Sequence, residues 1–272
     1  MKRTLILLAI LAAIGPAWGA EVVSSNIVGY EKINLVAGLN MVSAQFIPVG
    51  AGTLERGIST IGELKDANGN PMPGYDDEYT YATTMKVWDP TTEKYTTYGW
   101  SGSSAGDIDD MPELNNLWLD ATTEETDDTV ATTSGVWIKA GSAGTFTVSG
   151  EVPNTPTVQL SLVAGLNLVA NPYPAAVPVA SFGTLDSTMS GYDDEYTYAT
   201  TMKVWDPATE KYTTYGWSGT SAGEIDDMPE LNNQWLDATT EATTDVIPYG
   251  AGVWIKAEKA GTITFKNPAS AE

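Results

Sequence analysis

The chain has 272 residues, no cysteine and no histidine, and it sets 13 Lys plus Arg against 35 Asp plus Glu for a formal net charge of −22. That balance repels nucleic acid and anionic membrane surfaces and favours cationic partners. The absence of imidazole and thiol excludes histidine-assisted serine chemistry, cysteine nucleophiles and histidine-ligated zinc.

At the start of the chain, Met1-Lys2-Arg3 precedes an apolar run from Leu5 to Ile14, then Gly15-Pro16 and Ala17-Trp18-Gly19-Ala20. A basic start, a short apolar core and a small-residue end are the pattern of a secretory signal peptide, assigned to residues 1–19. Cleavage after Gly19 places small residues, Ala17 and Gly19, at both recognition positions. The run is too short to remain as a membrane anchor, since a spanning helix needs about 20 apolar residues, and no other segment approaches that length. The expected location is therefore outside the cytoplasm: periplasmic, extracellular or at the cell surface. With no disulfides available, each domain must be stabilised by its apolar core.

Next comes an internal duplication, which sets the architecture. Residues 74–124, beginning GYDDEYTYATTMKVWDP, return as residues 191–241 with four changes: Thr91 to Ala208, Ser103 to Thr220, Asp107 to Glu224 and Leu117 to Gln234. The match continues to Gly135-Val136-Trp137-Ile138-Lys139 against Gly252-Val253-Trp254-Ile255-Lys256. It also runs backward, from Leu35-Val36-Ala37-Gly38-Leu39-Asn40 to residues 162–167, so the first copy holds ten extra residues between Gln45 and Gly74. These are placed in a surface loop around Asp66-Ala67-Asn68-Gly69-Asn70-Pro71. Two domains follow, at residues 20–152 and 157–272, joined by a spacer at 153–156 that Pro153 and Pro156 stiffen.

Within a copy the periodicity is that of strands. Tyr79, Tyr81, Met85 and Val87 share one face, Asp89-Pro90-Thr91-Thr92 supplies a turn, and Tyr95 to Tyr98 returns, which predicts a hairpin. Further strands are predicted at 27–35, 39–46, 135–140 and 144–148. Short strands broken by turns predict an all-β chain of two tandem antiparallel β-sandwich or barrel-like domains. One helical turn is expected at residues 110–114, with Asp110 capping its free N–H groups. The Leu117 to Gln234 change marks that position as solvent-facing and turns Trp118 and Trp235 inward.

Three sets of residues are candidates for function. Asp76, Asp77, Glu78, Asp107, Asp109 and Asp110, repeated as Asp193, Asp194, Glu195, Glu224, Asp226 and Asp227, offer the closely spaced oxygens that calcium prefers. The competing reading is a helix cap with a solvated acidic loop; no EF-hand pattern appears, and the Asp66 to Asn70 loop is a weaker calcium candidate. Among the tryptophans, Trp118 and Trp137 read as core, whereas Trp88 and Trp100, with their repeats Trp205 and Trp217, are candidate exposed platforms for sugar rings. Paired carboxylates of a glycosidase remain formally open, but the many surface acids make any chosen pair arbitrary.

The segments Ala164-Gly165-Leu166-Asn167-Leu168-Val169-Ala170-Asn171-Pro172-Tyr173-Pro174, Val204-Trp205-Asp206-Pro207 and Gly250-Ala251-Gly252-Val253-Trp254-Ile255 together resemble a β-sandwich-like module of secreted bacterial surface proteins. The resemblance implies a non-catalytic structural or binding role and supplies no ligand or site residue. Leu39 and Leu166 stand where that module usually has tryptophan, and the first copy reads Ser43-Ala44-Gln45-Phe46 in place of Asn-Pro-Tyr-Pro. The leading expectation is a secreted surface, structural or adhesive protein without catalysis. The alternatives are a pair of carbohydrate-binding modules, whose duplication would raise avidity, and a glycoside-acting enzyme. No cofactor is implied beyond calcium; polysaccharide or other surface proteins are the expected partners.

Overall fold

The computed structural model describes residues 28–51 and 53–269; the signal peptide expected at residues 1–19 lies outside them. The chain is all-β, in two repeats of one antiparallel arrangement. In the first half the strands are β1 (Val28–Leu35), β2 (Gly38–Ser43), β3 (Glu55–Gly57), β4 (Glu63–Asp66), β5 (Thr84–Asp89), β6 (Lys94–Trp100), β7 (Trp118–Leu119), β8 (Thr129–Ala131), β9 (Gly135–Ala140) and β10 (Gly144–Glu151). They form a five-stranded sheet in the order β2-β9-β5-β6-β7, a three-stranded sheet β1-β10-β4 and a short ladder β3-β8.

The second half repeats this with β11 (Thr157–Leu162), β12 (Gly165–Ala170), β13 (Val177–Pro178), β14 (Thr184–Leu185), β15 (Thr201–Asp206), β16 (Lys211–Trp217), β17 (Trp235–Leu236), β18 (Val246–Ile247), β19 (Gly252–Ala257) and β20 (Gly261–Lys266). Its sheets are β12-β19-β15-β16-β17, β11-β20-β14 and β13-β18.

Alternation decides which side chains meet. On the three-stranded sheet Leu35, Leu64, Phe146 and Val148 turn inward, against Val42, Met85, Trp100, Trp118, Val136 and Ile138 of the five-stranded sheet. The second core matches it, with Phe265, Ile263 and Leu185 facing Met202, Trp217, Trp235, Val253 and Ile255. Burying one such indole contributes about 4–6 kcal/mol before entropy, so two per core supply much of what disulfides provide elsewhere. The recurring Gly-Leu-Asn step closes the first tight turn of each half. Asn40 accepts from Val36 N at 2.9 Å and donates to the Val36 and Gly38 carbonyls, and Asn167 repeats this with Val163 and Gly165.

The two cores are separate, but the halves do not merely follow each other on a spacer. Each strand β9 and β19 is buried on both faces, because its outer face packs on the other half. Met41, Trp137, Leu168 and Trp254 form a third apolar cluster, with Trp88 and Trp205 against it. Its contacts come in reciprocal pairs. Ser43 N donates to Gly250 O and Ala170 N to Thr133 O; single β-bridges join Val42 to Ala251 and Ser134 to Val169. Gly135 and Gly252 meet at the centre, where a Cβ on either would stand 3.1 Å from the other's Cα. Such pairing is the signature of a two-fold axis, here inside one chain.

Two local expectations are corrected. The helix of the first half is α1 (Ser104–Asp109), upstream of the predicted turn, and Asp110 ends it in a left-handed conformation (φ 59°) instead of capping a helix start. Residues Pro112–Leu114 form only a 3-10 turn, entered from Met111 without a side-chain cap. A six-residue helix containing Gly106 and burying only Ala105 carries no readable period. The second half has the matching α2 (Ser221–Ile225). Leu117, expected to face solvent, is half-buried against Tyr75, Ala105 and Leu119, while Gln234 sends its amide to Glu230 O at 2.6 Å. Trp118 and Trp235 do turn inward, fully buried. The extra residues of the first half lengthen β4 and add the turn that follows it: Asp66 accepts from Asn68 N and Asn70 N, both at 2.9 Å.

Candidate functional site

The tryptophans divide cleanly by environment. Trp100 and Trp217 are 1% and 0% exposed, so neither presents a face to a sugar. Their sequence context, Gly-Trp-Ser-Gly, looked loop-like; in fact each ends the long strand β6 or β16 and stacks edge-on against Trp118 or Trp235 at 5.4 and 5.3 Å. Trp88 and Trp205 do lie on the face opposite Met85 and Met202, but that face is covered by the other half. Trp88 Nε1 donates to Leu166 O at 2.9 Å and its ring meets Trp254 at 5.4 Å. Trp205 Nε1 donates to Leu39 O at 3.0 Å and meets Trp137 at 5.4 Å. The backbone carbonyls of Leu39 and Leu166, in the two Gly-Leu-Asn turns, are thus the acceptors of this seam. Tyr95 and Tyr212, edge-packed on Trp88 and Trp205, stay about two-fifths exposed at its rim.

The acidic clusters are organised by turns and hydroxyls. Asp76 accepts from Glu78 N and Thr80 N, and Asp193 from Glu195 N and Thr197 N, so each closes its own loop. Both oxygens of Asp109 are taken by the hydroxyls of Tyr75 and Tyr79, whose rings stack at 5.6 Å; Asp226 does the same with Tyr192 and Tyr196. Burial, then the bond to the aspartate, pushes the Tyr75 and Tyr192 hydroxyls well above the usual phenol range. Asp107 accepts from Ser103 Oγ at 2.7 Å. Asp77, Glu78, Asp110, Asp194, Glu195, Glu224 and Asp227 are exposed. Among the described residues no three acids gather as a metal site.

The same turn chemistry recurs outside the clusters. The Thr92 hydroxyl and Thr91 N–H hold the Asp89 carboxyl below the usual range, and Thr209 and Ala208 do so for Asp206. Backbone hydrogen bonding from Asn70 lowers Asp66. These carboxylates are acceptors that fix loops, an assignment the Asp-x-x-Thr spacing of Asp89 and Asp206 and the Asp-x-Asn spacing of Asp66 carry in plain view.

One group stands apart, and sequence reasoning passed over it. Glu31 sits at an inward position of β1, opposite Val148, and is 7% exposed. Its Oε1 has no hydrogen-bond partner among the described residues, and burial pushes its carboxyl up from 4.5 to about 7. The legible signal was an acid interrupting the alternation with Ile33 and Leu35. The other buried charge of the first half, Arg56, donates from Nη1 to Phe46 O and Ser149 O at 2.6 and 2.9 Å and forms no ion pair with Glu31.

Among the described residues no helix is long and apolar enough to cross a membrane. No protein-family model matches the chain, and no curated protein or solved structure is significantly similar to it.

Proposed function

We propose that the chain is an exported, non-catalytic surface protein with a structural or adhesive role, in which the two domains act as one rigid unit. The observation that carries this reading is the reciprocal seam: the aromatic side chains best suited to take a ligand, Trp88 and Trp205, hold the halves together. The acids, the other chemically distinctive set, are engaged in local structure where they are buried or bonded: Asp76 and Asp193 close their own turns, and Asp109 and Asp226 accept from tyrosine hydroxyls. Export rests on the N-terminal pattern of residues 1–19. The kinship with secreted surface modules rests on the quoted motifs alone. A pair of carbohydrate-binding modules is less well supported, because Trp100 and Trp217 are interior.

The test joins cell fractionation of the native producer with assays of the processed chain on a panel of polysaccharides. The reading expects the chain outside the cytoplasm and no turnover of any glycan. Retention in the cytoplasm, or hydrolysis that survives purification to homogeneity, overturns it.

A further inference from the structure

Two crevices flank the local two-fold axis, and they have diverged. The one beside β11 is lined by Thr157, Val158 and Gln159 with Ile47 and Leu54 from the first half. Its counterpart beside β1, of about 320 Å³, is lined by Tyr30, Glu31, Lys32 and Phe46 with Pro174 and Tyr249 from the second half. The repeat supplies its own control. Glu31 occupies the place of Val158, which packs in the second core at 5% exposure, so the fold requires only an apolar side chain there. Across the seam the changes are coordinated: Tyr249-Gly250 stands where the first half has Thr132-Thr133. Gly250, at φ 69°, lies against this strand: a Cβ there would stand 2.6 Å from the Ile33 side chain and 3.1 Å from Glu31 Oε1.

A buried acceptor without a donor is costly, and a position that tolerates valine gives no structural reason to keep one. The crevice wraps the open edge of β1, so residues of both faces of that strand reach it. Tyr30 and Tyr249, 73% and 51% exposed, stand at its mouth, where tyrosine faces attract cations. The surrounding charge of −22 concentrates cations near the surface. We infer that this crevice is a binding site for a slender primary ammonium, such as a lysine side chain or an alkyl diamine, whose N–H groups meet the Glu31 carboxyl while its alkyl stem lies between Tyr30, Pro174 and Tyr249. Its volume is at the small end for ligand sites, which suits a chain and not a folded ring system.

Among the described residues the crevice brings two tyrosines and one lysine to Glu31. Lys32 projects from the opposite face of β1 and is exposed, Tyr30 and Tyr249 stand at the mouth, and Arg56 is held by backbone carbonyls. The inference does not depend on where the protein resides or on its larger role.

The experiment titrates the folded, processed chain with n-butylammonium chloride at 0.15 M ionic strength and follows backbone amide NMR shifts. Saturable shifts are expected at residues 30–32 and 249–251, with affinity about tenfold higher at pH 8 than at pH 6 as Glu31 loses its proton. Glu31→Val, which installs the residue of the second half and keeps or raises the melting temperature, is expected to abolish them; tetramethylammonium, which has no N–H, is expected to bind at least fivefold more weakly. Three results overturn the inference: no saturable shift in the parent chain, equal shifts in folded Glu31→Val, or tetramethylammonium binding as well as n-butylammonium.

Discussion

The first and second halves share nearly all of residues 74–124 and 191–241, yet they solve the same interior differently. In the first, Trp100 Nε1 finds Met72 O at 3.2 Å and Trp118 Nε1 has no partner among the described residues. In the second, Trp235 Nε1 finds Phe182 O at 2.9 Å and Trp217 Nε1 has none among the described residues. Identical tryptophans thus exchange roles because the segment that lies over them differs: ten more residues, with a longer β4, in the first half. The lesson is that the duplicated block fixes the sheets and the seam, and the diverged flanks decide how buried polar groups are satisfied. The same flanks place Glu31 and Arg56 in the first half against Val158 and Val177 in the second.

The strongest way to break the comparison is in the cores. Trp100→Ala and Trp217→Ala each remove a fully buried indole and are expected to cost about 3–5 kcal/mol, read from urea midpoints. Trp217→Ala costs less of that range, because it deletes an indole whose N–H was unbonded, whereas Trp100→Ala also strands Met72 O. Equal losses would remove the distinction drawn between the halves.

At the seam the halves are expected to behave alike. Trp88→Ala and Trp205→Ala each lose two aromatic contacts and one hydrogen bond, for about 2–3 kcal/mol apiece. Because both serve one interface, the double variant should fall short of the sum by more than 0.5 kcal/mol. Full additivity, measured by the same unfolding curves, would mean that the two tryptophans act in unconnected places.

The mildest effect sharpens the charge difference. Glu31 has its folded carboxyl raised from 4.5 to about 7, so the folded state holds a proton that the unfolded chain has released. Its contribution is therefore most favourable below pH 4.5 and declines as pH rises through 7, by about 1–3 kcal/mol. The lowered turn aspartates, Asp66, Asp89 and Asp206, act in the opposite sense, losing stability only as pH falls below the ordinary carboxylate range. In Glu31→Val the decline between pH 5 and pH 7.5 should shrink relative to the parent chain; an unchanged slope would place the carboxyl in solvent.

How much of this was legible depended on whether the cause was local. The hairpin of β5 and β6 and the strands near 27–35, 135–140 and 144–148 were readable because alternation and an Asp-Pro turn are encoded within a few residues. Helix α1 was not, being too short for a period, and Asp110 resembled a cap because the residues after it suited one. Trp88 was placed on the right face, but sequence offers no sign that a symmetry-related sheet, rather than water, lies beyond it. Trp100, a candidate platform in the sequence, is interior: the glycines beside it, Gly99 and Gly102, make room for other chain segments around a buried ring. Glu31 could have been found by aligning β1 with β11, which sets it beside Val158.

The account stands or falls on the seam inside one chain, and the lack of native cysteine permits a direct measurement. Ser134 and Val169 form a single antiparallel β-bridge across it, which brings their Cα atoms within disulfide range. The double variant Ser134→Cys with Val169→Cys is expected to oxidise to an intramolecular disulfide in the folded monomer, seen as a loss of two mass units and of both free thiols. Thiols that stay free under oxidant, or that link only between molecules, would contradict a chain whose halves are joined face to face.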